Sequence, residues 1–344
     1  MRPNIPAVLS LILVLAIAPR ARADVWVPRA QTFGGVPGAH MGTSVAAGVG
    51  VDPQGHLIIN RVYVGQPDAD GPSGQIGAGS VQIYNLGPNG WVFAANLFSN
   101  QVQAGAHFGA SLAYGSGHLV VGAPDYNDVG GTGANAGRVE FYFDNGASPL
   151  NLSYKGSRTG GGGNFGSAVA VNVDMAAIGE TGGSGDGCVS AFHYDLGTGT
   201  WTNLPAVNDI VCGSTGAALG TSVAILRTSA TSFLLVAGAT GESQNANSLA
   251  GAAHVYIPNP NTTTGGFVEV GTLAANNPAA FDFFGTSVGI DANFIYVGAT
   301  GRDNGAGRVG SVTIFKPASI IGYNYLSEYF PSAPATIGGL CGAS

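Results

Sequence analysis

The sequence predicts an all-β fold of five four-stranded units, because one short phrase returns five times along the chain. Each copy is a bulky apolar residue, a glycine, two small residues and an aliphatic residue, and the glycines are Gly42, Gly109, Gly166, Gly220 and Gly285. Recurrence at a similar spacing indicates an array of equal supersecondary units. Short apolar runs with β-branched residues separate the copies, and no stretch sustains a helical period.

The second unit shows its four strands most clearly. The predicted strands begin at Ala110, His118 and Arg138, and a weaker fourth strand lies around Leu150–Tyr154. Pro124 closes the second strand, since proline lacks the N–H group that a strand ladder uses. Four short strands per unit, repeated around an axis, are typical of a β-propeller, whose sheets have only short edges.

The two ends of the chain predict how this ring closes. Residues Trp26–Ala30 repeat the outer-strand pattern of Trp91–Ala95, and both are followed by Gly-Ala-His before the phrase. The fifth unit lacks a clear fourth strand after Phe315. We therefore expect the N-terminal strand to supply it, giving a propeller over residues 24–317 and a C-terminal tail over 318–344.

Residues 1–23 have the features of a secretion signal. Arg2 gives a positive start, Ala7–Ala18 is apolar, and Ala21-Arg22-Ala23 is a small-x-small cleavage site. The apolar run is shorter than the about 20 residues that a membrane span needs. We expect a soluble, secreted protein without membrane insertion, and an uncleaved anchor is the alternative.

Charge argues against two classes of partner. Cleavage removes three of the 12 Lys and Arg residues and leaves nine against 19 Asp and Glu residues, a net charge of −10. Nucleic acid and anionic lipid both require a cationic surface, so neither is expected to bind. With 45% hydrophobic residues, the chain can still form a packed core despite its 57 glycines.

Three cysteines are present. Cys188 and Cys212 lie on neighbouring predicted strands of the third unit, so an exported protein is expected to join them in a disulfide. Two free buried thiols are the alternative. Cys341 is left over, either free or paired between chains.

Two recurring phrases resemble the FG-GAP repeat of integrin α-chain propellers and of many exported proteins. They are Phe108-Gly109-Ala110-Ser111 and Val121-Gly122-Ala123-Pro124, with variants of the second at Gly238 and Gly298. The resemblance covers about residues 33–316. It implies a propeller but leaves function open, because the family includes adhesion modules, lectin-like proteins and appendages of enzymes. Integrin propellers have seven blades, so an integrin-like heterodimer is not implied for five.

Integrin-type repeats often carry a calcium loop of the Asp-x-Asn-Gly-Asp-Gly kind between the first two strands. The corresponding residues here are Gly115-Ser116-Gly117 and Asp291-Ala292-Asn293, which offer too few oxygen ligands. His40 and His107 precede the phrase at equivalent positions, where a structural role is favoured over metal ligation with carboxylates. Neither a metal nor a cofactor is predicted.

The connections between second and third strands are long and polar, and each contains a carboxylate. In a four-stranded unit they share one face with the connections between units. We expect an acidic ring there that binds a sugar, a cation or a basic protein patch, with ordinary turn formation as the alternative. The candidate ligand-binding residues are Asp68, Asp70, Asp125, Asp128, Glu180, Asp186, Glu242 and Asp303.

Two other groups of residues have more than one interpretation. Trp26, Trp91 and Trp201 lie in or near outer strands, where packing within the sheets is favoured over stacking on carbohydrate. Asn151 and Asn261 begin glycosylation tripeptides that a eukaryotic host would use.

The pattern favours binding over catalysis. The sequence has no nucleophile elbow, metal-ligand cluster or paired carboxylates on converging strands, so no catalytic residue is predicted. We expect a secreted binding or adhesion module that recognises an extracellular glycan or protein through the face of the 2–3 connections. The alternatives are a hydrolase or lyase acting at the mouth of the central channel, and a structural surface or matrix component.

Overall fold

The structure is a computed structural model that describes residues 38–330, apart from 52–56, 88, 129–133, 147–149, 183–184, 204–209, 230–231, 260–265, 306 and 318–321. These residues contain 21 β-strands and no helix. The strands form five antiparallel sheets, in each of which consecutive strands pair in chain order. The prediction of an all-β chain with five sheet units is confirmed.

The five sheets, here called units 1 to 5, follow one another along the chain. Unit 1 contains β1 (Val45–Val51), β2 (Leu57–Gln66), β3 (Ser80–Gly87) and β4 (Gly90–Leu97). Unit 2 contains β5 (Ser111–Gly115), β6 (His118–Ala123), β7 (Arg138–Asp144) and β8 (Leu152–Thr159). Unit 3 contains β9 (Phe165–Asn172), β10 (Met175–Glu180), β11 (Cys188–Asp195), β12 (Thr200–Asn203) and β13 (Ile210–Cys212).

Unit 4 contains β14 (Leu219–Arg227), β15 (Phe233–Ala239), β16 (Ala252–Pro258) and β17 (Phe267–Leu273). Unit 5 contains β18 (Phe284–Ile290), β19 (Ile295–Ala299), β20 (Ser311–Pro317) and β21 (Tyr323–Tyr329). Unit 3 fits the same plan, because β12 and β13 pair with different halves of β11 and together take the place of one fourth strand.

Unit 5 has a fourth strand of its own, which differs from the sequence prediction. β21 pairs with β20 and lies within residues 318–344, where a tail was expected. Its Glu328 accepts hydrogen bonds from Arg302 Nε and Ser311 Oγ, both at 2.8 Å. β21 occupies the position predicted for the N-terminal strand, and that N-terminal segment lies outside the described residues.

Four of the five repeated phrases, those of units 2 to 5, form a joint with the preceding unit. At the first joint, the carbonyl of Gly109 approaches Gly65 so closely that a Cβ on Gly65 would lie 2.0 Å from its oxygen. Gly109 itself has a φ of +92°, a region that residues with side chains rarely adopt. Both positions therefore require glycine. The next three joints repeat this approach, at 2.1 Å for Gly122 and Gly166, 2.1 Å for Gly179 and Gly220, and 1.9 Å for Gly238 and Gly285.

The bulky residue and the serine of the phrase complete the joint. Phe108 is fully buried and forms a parallel bridge with Gly79 of the preceding unit. The hydroxyl of Ser44 donates a hydrogen bond of 2.6 Å to the Gly109 carbonyl. Equivalent bridges join Gly137 to Phe165, Gly187 to Leu219 and Gly251 to Phe284. The phrase therefore recurs because its bulky residue, its glycine and, in units 1, 2 and 4, its serine contact the neighbouring unit.

The apolar core lies between neighbouring sheets. Between units 2 and 3, Phe141 stacks on Trp201 with ring centroids 4.9 Å apart, and both side chains are buried. Burying a large apolar side chain stabilises the fold by about 2–3 kcal/mol. His118 packs edge-on against Trp201, and burial lowers the pKa of its imidazole to about 4. Trp201 therefore packs in the core between two sheets. Packing is the role that the sequence favours for it over stacking on carbohydrate.

A buried ion pair also joins units 1 and 2. Arg61 Nη1 and the Tyr63 hydroxyl both donate hydrogen bonds to Asp144 Oδ2, and Arg61 Nε donates to Asn85 Oδ1 at 2.7 Å. Arg61 and Asp144 are 3% and 2% exposed. Removing either partner would leave an uncompensated buried charge, so this contact fixes the two sheets relative to each other.

Residues in or beside the first strands of all five units line one cavity of about 690 Å³. Each unit contributes residues of its phrase, so the described lining consists of Gly, Ala, Ser, Thr, Val and Leu. Such small residues are expected where five inner strands converge.

Substituting Gly122 tests the joint. We expect Gly122→Ala to lower the free energy of unfolding by about 3 kcal/mol, because the added Cβ would lie 2.1 Å from the Gly166 carbonyl oxygen. Gly289→Ala is the matched control, because the nearest atom to its Cβ would be a Tyr296 carbon at 3.8 Å. Chemical denaturation measures both variants. Equal stabilities would contradict the proposed role of the joint.

Candidate functional site

The candidate site residues lie at one end of the sheets, here called the loop face. It comprises the connections between second and third strands together with those between units. The second-to-third connections are residues 67–79, 124–137, 181–187, 240–251 and 300–310. The predicted carboxylates lie in or beside these connections, but the structure divides them among four different environments.

The first environment is a row of alternating histidines and aspartates across units 1 to 3. His40 Nδ1 contacts the carboxylate of Asp68, whose other oxygen lies 3.0 Å from His107 Nε2. His107 Nδ1 lies 2.6 Å from Asp125 Oδ2, and the Asn164 amide donates to Asp125 Oδ1 at 2.7 Å. Both nitrogens of His107 are therefore occupied by carboxylates of two different units.

Backbone conformation explains which residues form this row. His40, His107 and Asn164 each precede the phrase and have φ values of 49°, 55° and 59°. Asn and His are enriched in this left-handed region. Units 4 and 5 have Ala218 and Phe283 at the same position, so the row ends at unit 3.

Metal binding by the two histidines gains no support from the geometry. Among the residues that the structure describes, no group of three or more His, Cys, Asp or Glu side chains is arranged to hold a metal ion. His40 and His107 contact carboxylates of the neighbouring loops.

The second environment is a cleft in unit 3, here called the Glu180 cleft, of about 190 Å³. Glu180 and Asp186 line it together with the glycine run 161–163. Burial raises the pKa of Glu180, although backbone N–H groups of Gly161 and Gly163 act in the opposite direction. Asp186 Oδ1 accepts a hydrogen bond from the Gly216 N–H at 3.2 Å.

The third environment, here called the His254 cleft, has a volume of about 220 Å³ and lies where units 3 and 4 meet. His254 Nε2 lies 2.6 Å from Glu242 Oε2, and its Nδ1 lies 2.9 Å from Glu269 Oε1. Burial by itself lowers the pKa of this imidazole, but the hydrogen bonds and charges of both glutamates outweigh it. The pKa of His254 is therefore raised. Tyr256 and Ser214 complete the polar lining.

The Cys188–Cys212 disulfide separates the two clefts. Cys212 lines both of them, and Cys188 lines the Glu180 cleft. The two residues are directly opposite each other on β11 and β13, with their Cα atoms 4.0 Å apart. The disulfide predicted from the sequence is confirmed.

The fourth environment is local turn stabilisation. Asp70 Oδ1 accepts a hydrogen bond from the Gly77 N–H at 3.2 Å. Asp303 Oδ1 accepts one from the Gly305 N–H at 2.7 Å. These two carboxylates match the alternative of ordinary turn formation. Asp128 is half-buried in the unit 2 connection, away from both clefts.

Three other sequence candidates have separate positions. Trp91 is half-buried on β4, whereas Trp26 lies outside the described residues. Asn151 is exposed, as a glycosylation acceptor must be. Asn261 and Cys341 lie outside the described residues.

Sequence reasoning missed His254 and Glu269 as site residues. His254 is visible in the sequence as a polar residue on a third strand that is otherwise apolar. Glu269 lies on β17, and only the fold brings it to the opposite side of the imidazole from Glu242.

The five antiparallel sheets are similar, and the polar loops at one end of them differ from unit to unit. This arrangement defines a repeat protein that has one loop face. Residues 267–315 match the family model described as FG-GAP repeat, which is consistent with an FG-GAP repeat family. The match covers β17 to β20, that is, the last strand of unit 4 and the first three of unit 5. Comparison with curated proteins found no match. The described residues include no helix that could cross a membrane.

The raised pKa of His254 gives a pH-dependent contribution to stability. This contribution is complete below the unfolded-state pKa of about 6.5 and is lost as the pH rises through the folded-state pKa. Glu242→Gln removes one carboxylate, so we expect the folded-state pKa of His254 to fall and the loss of stability to be complete at a lower pH.

An NMR titration of the His254 ring measures this change. Asp303→Asn is the control and is expected to leave the titration unchanged, because Asp303 bonds only within its own loop. An unaltered His254 titration in Glu242→Gln would disprove the role of the carboxylate.

Proposed function

We propose that the chain is a secreted five-bladed β-propeller that works as a binding module. On this proposal the loop face recognises an extracellular carbohydrate or protein. The observation that carries it is the position of the titratable clefts. Both the Glu180 cleft and the His254 cleft open among the connections of the loop face. They give the loop face chemically distinct sites, although the five sheets that carry it are similar.

Three features support closure into a ring. First strands from all five units line a single cavity. Unit 5 has Gly298 and Gly310 at the positions that glycines occupy in the four observed joints. Unit 1 has the phrase Met41-Gly42, and Gly42 has the same φ of +92° as Gly109. A fifth joint between units 5 and 1 would use these residues.

The loop face is better suited to recognition than the central cavity. The described lining of the cavity includes no Asp, Glu, His, Lys or Arg. Acid–base chemistry at the channel mouth, which the enzyme alternative requires, would need such groups. Within the described part of the chain, the clefts of the loop face combine carboxylates, an imidazole and hydroxyls, which can bind sugar hydroxyls or the amines of a basic protein.

The disulfide supports the proposal of export. Disulfides persist in oxidising compartments, and the Cys188–Cys212 bridge lies at the surface. FG-GAP repeats and a disulfide are both typical of extracellular proteins. Residues 1–23 are proposed as the secretion signal, which leaves residue 24 as the first of the mature chain.

Closure is tested by Gly298→Ala in a Ser287→Ala background. The serine is removed so that any remaining obstacle to the new Cβ comes from the Gly42 carbonyl. We expect a loss of stability equal to that of Gly179→Ala, whose Cβ would lie 2.1 Å from the Gly220 oxygen without a serine contact. A loss no larger than that of Gly289→Ala, measured by denaturation, would mean an open arrangement.

Binding is tested by screening the mature chain against glycans and extracellular proteins, with and without EDTA. For any ligand found, Asp125→Asn combined with Glu242→Gln is expected to weaken affinity at least about tenfold, or about 1.4 kcal/mol. The matched control combines Asp195→Asn with Asp291→Asn, which removes two exposed carboxylates of strand connections at the opposite end of the sheets. Equal affinities of the two double variants would exclude the loop face, and self-association without a ligand would favour a structural component.

A further inference from the structure

The Cys188–Cys212 disulfide lies at the surface and is accessible from both of its sides. Cys212 is exposed, Cys188 is half-buried, and a cleft adjoins each side of the bridge. Thiol–disulfide exchange requires that a thiolate reach one sulfur, and exposed disulfides are the more readily reduced ones. The geometry therefore permits a reductant to reach the bridge without unfolding of the protein.

The disulfide holds a strand that has few other contacts. β13 is three residues long and pairs with β11 at Cys188, Val189 and Ser190. Ile210 is 50% exposed, and only Val211 packs partly against the core. On the other side of Cys212, the Gly213 N–H donates to the Gly187 carbonyl at 2.9 Å. Short segments with few buried apolar contacts open locally at low free energy.

This strand forms one wall of the His254 cleft. Val211, Cys212 and Ser214 line the unit 3 side of the cleft, opposite His254 and Glu242 of unit 4. Movement of β13 would change the shape of the cleft and its exposure to solvent. Leu235 and Val255 of unit 4 are fully buried in the cores that unit 4 shares with units 3 and 5, so unit 4 can keep its structure while the wall moves.

We propose that the Cys188–Cys212 disulfide is a redox-sensitive clasp that controls access to the His254 cleft. In the oxidised protein β13 is fixed and the cleft has the shape described above. In the reduced protein β13 separates from β11, and the Glu180 and His254 clefts lose the partition between them. As regulation of ligand binding, this inference rests on the proposed function of the loop face.

The reductant is a dithiol, either a small molecule or a dithiol protein. Its thiolate attacks Sγ of Cys212, the more exposed of the two cysteines, and Cys188 leaves as a thiolate that takes up a proton. The second thiol of the reductant then attacks the mixed disulfide and releases Cys212 as a thiol. Overall, two electrons and two protons pass to the protein disulfide, and the dithiol becomes a disulfide.

The experiment treats the mature chain with dithiothreitol under native conditions. Hydrogen exchange is measured at residues 210–213 and 252–258, and NMR follows the His254 ring. Upon reduction we expect exchange at 210–213 to rise about tenfold or more. Exchange at 252–258 is expected to stay unchanged while the His254 resonance shifts. Reoxidation should reverse both changes.

Two variants serve as controls. Cys188→Ser combined with Cys212→Ser is expected to show the fast exchange without any reductant and no response to it. Cys341→Ser removes the third thiol and is expected to behave like the wild-type chain. Resistance of the disulfide to dithiothreitol short of global unfolding would overturn the clasp. Reduction without change at residues 210–213 or at His254 would overturn it equally.

Ligand binding is tested separately from the opening of the disulfide clasp. If a ligand from the screen binds the loop face with the same affinity before and after reduction, control of the cleft is wrong but the binding module stands. If no ligand is found, the proposed function fails, whereas hydrogen exchange and the His254 resonance still decide whether the clasp opens.

Discussion

The contact on which the structure depends is the close approach of one glycine carbonyl to a second glycine in the preceding unit. At four joints, a Cβ on the second-strand glycine would lie between 1.9 and 2.1 Å from a carbonyl oxygen. This distance is far inside van der Waals contact, so no residue with a side chain fits. The joint sets the spacing of the sheets and places a bulky residue, Phe108 at the first joint, in the core between them. Many of the 57 glycines are therefore determined by packing between sheets.

A uniform frame leaves the loops free to differ. Units 1 to 3 share the row from His40 to Asn164, in which each carboxylate contacts residues of neighbouring units. Units 3 to 5 have a glycine at the position that Asp125 occupies in unit 2. In those units, backbone hydrogen bonds take the place of the side-chain contacts of the row. The Glu180 cleft lies in unit 3, where the row ends, and the His254 cleft lies beyond it, so the break in the repeat coincides with distinct local chemistry.

Most of the arrangement of sheets could be predicted from the sequence, because the recurring residues of the phrase are the ones that pack between units. The five units, most strand positions and the Cys188–Cys212 pairing follow from local patterns. β21 was missed because its pairing depends on a polar anchor, Glu328 with Arg302, and not on an alternating apolar pattern. The His254 site was missed because Glu269 and Glu242 approach the imidazole from different strands. Contacts between residues far apart in the chain leave no local signal.

A crystal structure of the mature chain would test the proposed closure of the ring through one distance. The distance runs from the Gly42 carbonyl oxygen to the Gly298 Cα. We expect these atoms to be in van der Waals contact, as the corresponding glycines are at the four joints within the chain. A solvent-filled gap between units 5 and 1 would contradict the account.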